Sequence, residues 1–202
     1  MNNLTSRRRM TVSYNQQHGV NMDLASAALI FSAHLMDKTA GWKYDHDAMA
    51  AVVSGIVRTT DDVQEVETLI KIARWESGGF RKDVITCKVR GDHGQALGAF
   101  QVHPFNEQER KDLCSADLAD QAKVALFHVN DSVKTCRMRG YRGSNLLTVY
   151  THGHCHADQH GVARSHWGDG SELQHIVWTE VHESAIPKRS DAEEACNDYR
   201  SE

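Results

Sequence analysis

The stretch from Asp61 to Gly79 restricts this chain more than any other part of it. Val66, Leu69, Ile70 and Ala73 recur at i, i+3, i+4 and i+7, which gathers them on one face of an α-helix. Asp61 or Asp62 stands where an N-cap belongs, and acidic residues follow in the first turn. Gly78-Gly79 predicts the stop, because glycine accepts the left-handed backbone that ends a helix. A helix with one apolar stripe is stable only when other elements cover that stripe. The same boundaries put Glu76 at the C-terminal end, facing whatever follows the glycines.

The rest of the chain supplies the cover. Leu24, Ala27, Ala28, Phe31 and Leu35 repeat the helical spacing, as do Met49, Val52, Val53, Ile56 and Val57 in a helix over 47–57. After Ser115 the pattern returns in Leu118, Ala122, Ala125, Val129 and Val133. Ser144 is placed to cap a short helix with Leu146, Leu147 and Tyr150, and a last helix carries Leu173, Ile176, Val177 and Val181. Only two prolines, Pro104 and Pro187, interrupt these stretches. One segment differs: Val84 to Val89 is β-prone, Leu97 to Val102 is its expected partner, and Arg90 to Gln95 is turn-rich. The expected class is therefore mainly α (α+β), with one small β-hairpin. The expected organisation is a flexible segment over 1–20, one domain over 21–186 and a charged tail over 187–202. Within the tail, Ser190 and Glu193 have capping-box spacing.

A chain of 202 residues, 40% of them apolar, can bury the core of one domain. Its formal charge of -4 argues against a general nucleic-acid binder, and Arg7-Arg8-Arg9 reads as a solvated run. Five cysteines without a CxxC pair do not look like a disulfide framework, so free thiols of a reducing compartment are expected. No run approaches the length of apolar sequence that spans a membrane. Thr11 to His18 is polar where a signal peptide would be apolar, so classical export is not expected.

Three short segments carry the chemistry: Glu76-Ser77-Gly78-Gly79-Phe80, Gly98-Ala99-Phe100-Gln101-Val102 and Val149-Tyr150-Thr151-His152-Gly153. Their order and character resemble the lysozyme-like soluble lytic transglycosylases and their goose-type lysozyme relatives, over roughly residues 60–155. That family shows a helix ending in Glu-Ser, a glycine-rich segment ending Gly-Leu-Met-Gln-Val, and a later Tyr-Asn-Ala-Gly. The resemblance implies a lysozyme-like fold with the hairpin lining a cleft. It implies Glu76 as the single catalytic carboxylate, Gln101 as a sugar-binding residue, Phe100 as a cleft wall and Tyr150 as a contact of the glutamate. Ser77 and Asp92, in the matched motif and the expanded turn, join them as substrate-binding candidates. Thr151 and His152 depart from the family's Asn-Ala, and the Glu76–Gln101 gap is longer than usual.

The implied substrate is the β-1,4 bond between N-acetylmuramic acid and N-acetylglucosamine in peptidoglycan, cleaved without metal or organic cofactor. The implied partners are glycan strands and other proteins of a phage particle. A wall-cleaving enzyme without a signal peptide would reach the wall from a virion, or from the host cytoplasm during lysis.

The chemistry is coherent on its own terms. A glycosidic oxygen leaves only as it is protonated, and a helix-end glutamate beside Trp75, Phe80 and Phe100 would be partly desolvated and so retain its proton. A hydrolase would also require a carboxylate to activate water, for which Asp83 and Asp92 are the candidates. Each functional reading has a plainer counterpart: Glu76 as a solvated helix end, Gln101 as a strand residue facing solvent, Tyr150 as a core aromatic, Asp92 as a turn residue.

His152, His154, Cys155, His156 and His160 form a second signal, since imidazole and thiolate are the usual zinc ligands. No ligand pair at zinc-finger spacing and no His-Glu-x-x-His helix accompanies them, so no metal is expected, and Gly153 to Gly170, rich in His and Gly, reads as a loop. A zinc amidase, or a non-catalytic lysozyme-like component of a phage particle, are the readings of other classes.

Overall fold

The computed structural model describes residues 23–37, 45–157 and 161–176. All belong to one compact unit spanning Met22–Glu180. The segments expected over 1–20 and 187–202 lie outside the described residues, as do His160, Cys196 and the end of the last helix.

Among the described residues the fold is mainly helical. The helices are α1 (Leu24–Asp37), α2 (His46–Val57), α3 (Val63–Glu76), α4 (Lys82–Ile85), α5 (Glu107–Leu113), α6 (Leu118–Met138), α7 (Thr148–His152) and α8 (Val162–His166). Single 3-10 turns occupy Asp92–Gly94 and Gly143–Leu147, and residues 171–176 are again helical. No described helix is long and apolar enough to cross a membrane.

The α3 stripe is the centre of the core: Val66, Leu69, Ile70 and Ala73 are all fully buried. Asp62 is its N-cap, accepting from the Gln64 and Glu65 N–H groups. Against it pack Phe31 of α1 and Ile56 of α2, with Ala122, Ala125 and Val129 of α6 in the same core. Gly55 permits the close crossing of α2 over the start of α6, since a Cβ there would lie 2.6 Å from the Leu118 backbone.

The expected hairpin is replaced by tighter structure. Lys82–Ile85 is one helical turn in which the neighbours Val84 and Ile85 are both buried, a pattern that an alternating strand cannot produce. Thr86 closes the turn by donating its hydroxyl to the Lys82 carbonyl at 2.8 Å. Only two isolated antiparallel bridges, Gly91 with Ala96 and Leu97 with Val102, stand where a ladder was expected. Of the β-prone residues 84–89, Val84, Ile85 and Cys87 are buried while Thr86, Lys88 and Val89 are exposed, and this uneven burial outweighs propensity.

The free-thiol expectation is also corrected. Cys87 is bonded to Cys114 and Cys136 to Cys155, with Cα–Cα distances of 5.6 and 5.4 Å. Spacing along the chain could not reveal these pairs, because the partners lie 27 and 19 residues apart and meet only through tertiary folding.

Candidate active site

Helix α3 ends on a sequence of left-handed residues. Gly78, Gly79 and Phe80 have φ of 64°, 85° and 63°. The first two are glycines, for which this backbone is cheap; Phe80 needs support. Ser77 supplies it: its hydroxyl donates to the Ala73 carbonyl at 2.6 Å and accepts the Phe80 N–H at 2.8 Å. The Phe80 ring is then fully buried. Ser77, expected to contact substrate, is 1% exposed and acts as the lock of this turn.

The turn leaves Glu76 at the surface end of α3 with its side chain 29% exposed. Its Oε1 lies 2.7 Å from Nε2 of His166, a fully buried residue at the end of α8. Nδ1 of His166 lies 2.7 Å from the Val162 carbonyl, which can only accept. The hydrogen-bond pattern thus assigns a hydrogen to Nδ1. The other oxygen, Oε2, makes no hydrogen bond with any described residue and is left for a ligand.

His166 reaches Glu76 because α3 clamps the segment that follows α8. Thr68 exchanges two hydrogen bonds with Gly168, accepting its N–H at 3.0 Å and donating to its carbonyl at 3.2 Å. Gly168 is required there, since a Cβ would sit 2.7 Å from the Thr68 nitrogen. One turn further, Lys71 donates to Glu67 at 2.9 Å, Glu172 at 2.8 Å and the Trp167 carbonyl at 3.3 Å. The second oxygen of Glu67, whose side chain is fully buried, accepts the Leu173 N–H at 3.1 Å. Burial works against the Lys71 charge, but the bonded Glu172 and Glu67 carboxylates outweigh it and hold the ammonium above its ordinary range.

Trp75 precedes Glu76 and is 47% exposed, its ring edge-on to His166 at 6.3 Å. Tyr150, on α7, donates its hydroxyl to the Phe100 carbonyl at 2.7 Å. Burial, and next the charge of Glu76, push the Tyr150 phenol well above its ordinary value, so it stays neutral and a donor. Tyr150 therefore lies within the field of Glu76, but its bond goes to the backbone of the second motif. Phe100 is 1% exposed, so its ring belongs to the core rather than to an open wall.

The second motif is a tight turn closed by the Leu97–Val102 bridge. Gly98 has φ of 70° and lies against the Leu113 carbonyl, leaving no room for a side chain. Gln101, with φ of 47°, braces the turn: it accepts the Gly91 N–H at 2.9 Å and donates to the Gly98 carbonyl at 2.9 Å. Asp92 is exposed and lies 3.1 Å from His103. Asp83 is held by Arg81 at 2.6 Å, and that hydrogen bond keeps its carboxyl below the usual range. The structure thus bonds Tyr150 to the Phe100 backbone within electrostatic reach of Glu76, and gives Ser77 and Gln101 bracing contacts.

In the histidine cluster, Cys155 is spent in its disulfide. Nδ1 of His154 and of His156 lie 2.9 Å apart, and Nδ1 of His152 is 2.6 Å from the Thr151 hydroxyl. Among the described residues no group of three His, Cys, Asp or Glu side chains is arranged to hold a metal ion.

His166 is the residue that sequence reasoning missed. It lies 90 positions from Glu76, in a stretch read as a loop because of its glycines and histidines. The one available signal was Val162 and Ala163 ahead of it, too short a run to suggest a buried helical turn. Comparison with family models, with curated proteins and with solved structures finds no match for this chain.

Proposed function

We propose that this chain is a peptidoglycan-degrading lytic transglycosylase of lysozyme-like fold. The substrate is the β-1,4 bond between N-acetylmuramic acid and N-acetylglucosamine, and Glu76 is its general acid and base. The observation that carries the reading is the Glu76–His166 pair: one carboxylate oxygen pinned by a buried imidazole, the other presented to solvent. A solvated helix-end glutamate has no need of such a partner.

In this mechanism Glu76 protonates the glycosidic oxygen through Oε2 as the bond to the anomeric carbon breaks. The same oxygen then takes the proton of the muramic 6-hydroxyl, whose oxygen bonds to that carbon and gives a 1,6-anhydro end. Acid–base assistance of this kind contributes about 10²–10⁴ in rate. His166 is a positioning residue that keeps Oε2 aimed outward. Exposed Trp75 offers a sugar ring a flat apolar face beside the reacting carboxylate.

A second carboxylate is unnecessary for this route, which suits a site where Asp83 and Asp92 already face Arg81 and His103. The Cys87–Cys114 and Cys136–Cys155 bonds suit action on the oxidising side of a membrane, where a bacterial wall lies. Delivery by a phage particle or lysis system remains the proposed route.

Mass spectrometry of muropeptides released from purified peptidoglycan tests the reading, run beside Glu76→Gln. Anhydro-muramic ends that vanish in the variant are expected. Reducing ends would replace transglycosylation by hydrolysis. No glycan cleavage by the wild type would sink the enzymatic assignment and leave a structural, sugar-binding role.

A further inference from the structure

A cavity of about 310 Å³ lies between the first turns of α2, helix α4 and the start of α6. None of Glu76, Trp75, Tyr150 or His166 lines it. Its size is at the lower end of small-molecule sites, and its walls are cross-braced. The Cys87–Cys114 disulfide joins the residue after Thr86 to the residue before Ser115, both of which line the cavity. Buried Gln121 ties the same walls, donating to the Ile85 and Ser115 carbonyls at 3.1 and 2.9 Å. The close crossing of Gly55 and Leu118 fixes α2 against α6. Such a cavity keeps its shape without a ligand.

Its charges are of opposite sign and come from different elements. Asp47 of α2 and Lys82 of α4 both line it, and neither side chain has a hydrogen bond or ion pair with any described residue. Asp45 lines it too, although its carboxylate already caps α2 through the Ala48 N–H at 3.0 Å. Apart from Thr86, Ser115 and Gln121, the rest of the lining is apolar: Ala48, Ala51, Ile85, Ala116 and Leu118. A dianion would meet the two aspartates, and a dication would meet Lys82. The ligand that satisfies both ends carries an ammonium and a carboxylate joined by a short apolar body.

We propose that this cavity binds a zwitterionic amino acid or short peptide with both ends unblocked, its ammonium on Asp47 and its carboxylate on Lys82. The inference does not depend on the reading of Glu76.

Titration of the ¹⁵N-labelled full chain with alanyl-alanine, followed by amide NMR, tests it. Saturable shifts at Ala48, Ala51 and Thr86 are expected at millimolar ligand. Acetylating the amine or amidating the carboxylate should weaken binding by at least roughly three- to fivefold, since each removes one charge pair. Asp47→Asn and Lys82→Met should each weaken binding roughly three- to fivefold, as loss of one exposed charge pair does. Both residues are exposed, and circular dichroism checks that each variant keeps its fold. Glu76→Gln should bind as the wild type does, so failure of the catalytic reading leaves this result standing. Absence of saturable shifts with every probe, or equal binding of capped and uncapped peptide, would overturn the proposal.

Discussion

Replacing Lys71 by Met removes the cation from the clamp that holds the α8 segment on α3. The Glu67 side chain is fully exposed to the consequence because it is fully buried: only the Leu173 N–H would remain beside its charge. Breaking a buried pair from one side typically costs about 3–5 kcal/mol, a large part of the roughly 5–15 kcal/mol that holds a domain together. Replacing both members, Glu67→Leu with Lys71→Met, removes the stranded charge and leaves the Leu173 N–H without its acceptor, a cost of about 1–3 kcal/mol. The double variant should therefore be more stable than the single one. Urea unfolding at neutral pH, followed by circular dichroism, measures both.

The pH dependence has a definite sign. Lys71 is held above its ordinary value of 10.5, so its stabilisation is fully present below that value and fades as pH rises through the raised one. The gap between wild type and Lys71→Met should thus close as the solution is made strongly alkaline. A single variant within about 1 kcal/mol of wild type, or a double variant as unstable as the single, would refute the reasoning.

Other consequences are equally direct. His166→Asn should lower the rate of muropeptide release by about 10²-fold, because Glu76 loses the partner that aims it, with little change in KM; unchanged turnover would remove His166 from the mechanism. Cys136→Ser with Cys155→Ser should cost about 3 kcal/mol in urea unfolding, the chain-entropy value for a 19-residue separation. Gly98→Ala should destabilise by about 1–3 kcal/mol, because it combines a left-handed φ with a collision at the Leu113 carbonyl. Burial alone would raise the Glu109 carboxyl, but the Phe105 N–H and His128 outweigh it and keep it below its ordinary 4.5. Its stabilisation is present above that value and lost as pH falls through the lowered one, so Glu109→Gln should flatten the acid side of the stability curve.

Much of the helical frame was legible residue by residue. The Asp62 cap, the Val66-Leu69-Ile70-Ala73 stripe and the glycine stop of α3 are local signals, and local hydrogen bonds and one buried face realise them. The position of Glu76 at a helix end follows from those signals alone. Turn chemistry was partly legible: Arg90 to Gln95 announced a turn, but Leu97 to Val102 was expected as a strand, and that Gln101 spends both ends of its amide bracing a turn there depends on how Gly91 returns to meet it. The strand expected over 84–89 failed because β-propensity measures fit to a half-buried surface, and here the core offered a helical turn and a disulfide instead.

The partners of Glu76 and of the cysteines belong to tertiary structure. No periodicity links Glu76 to His166, or Glu67 to Leu173 at a separation of 106 residues. These contacts exist because a glycine at 168 lets the chain lie against α3, where Lys71 bonds Trp167 and Glu172 and Glu67 accepts the Leu173 N–H. Short-range patterning determined where the carboxylate would stand; long-range packing decided what would stand beside it, and so which of its oxygens faces the solvent.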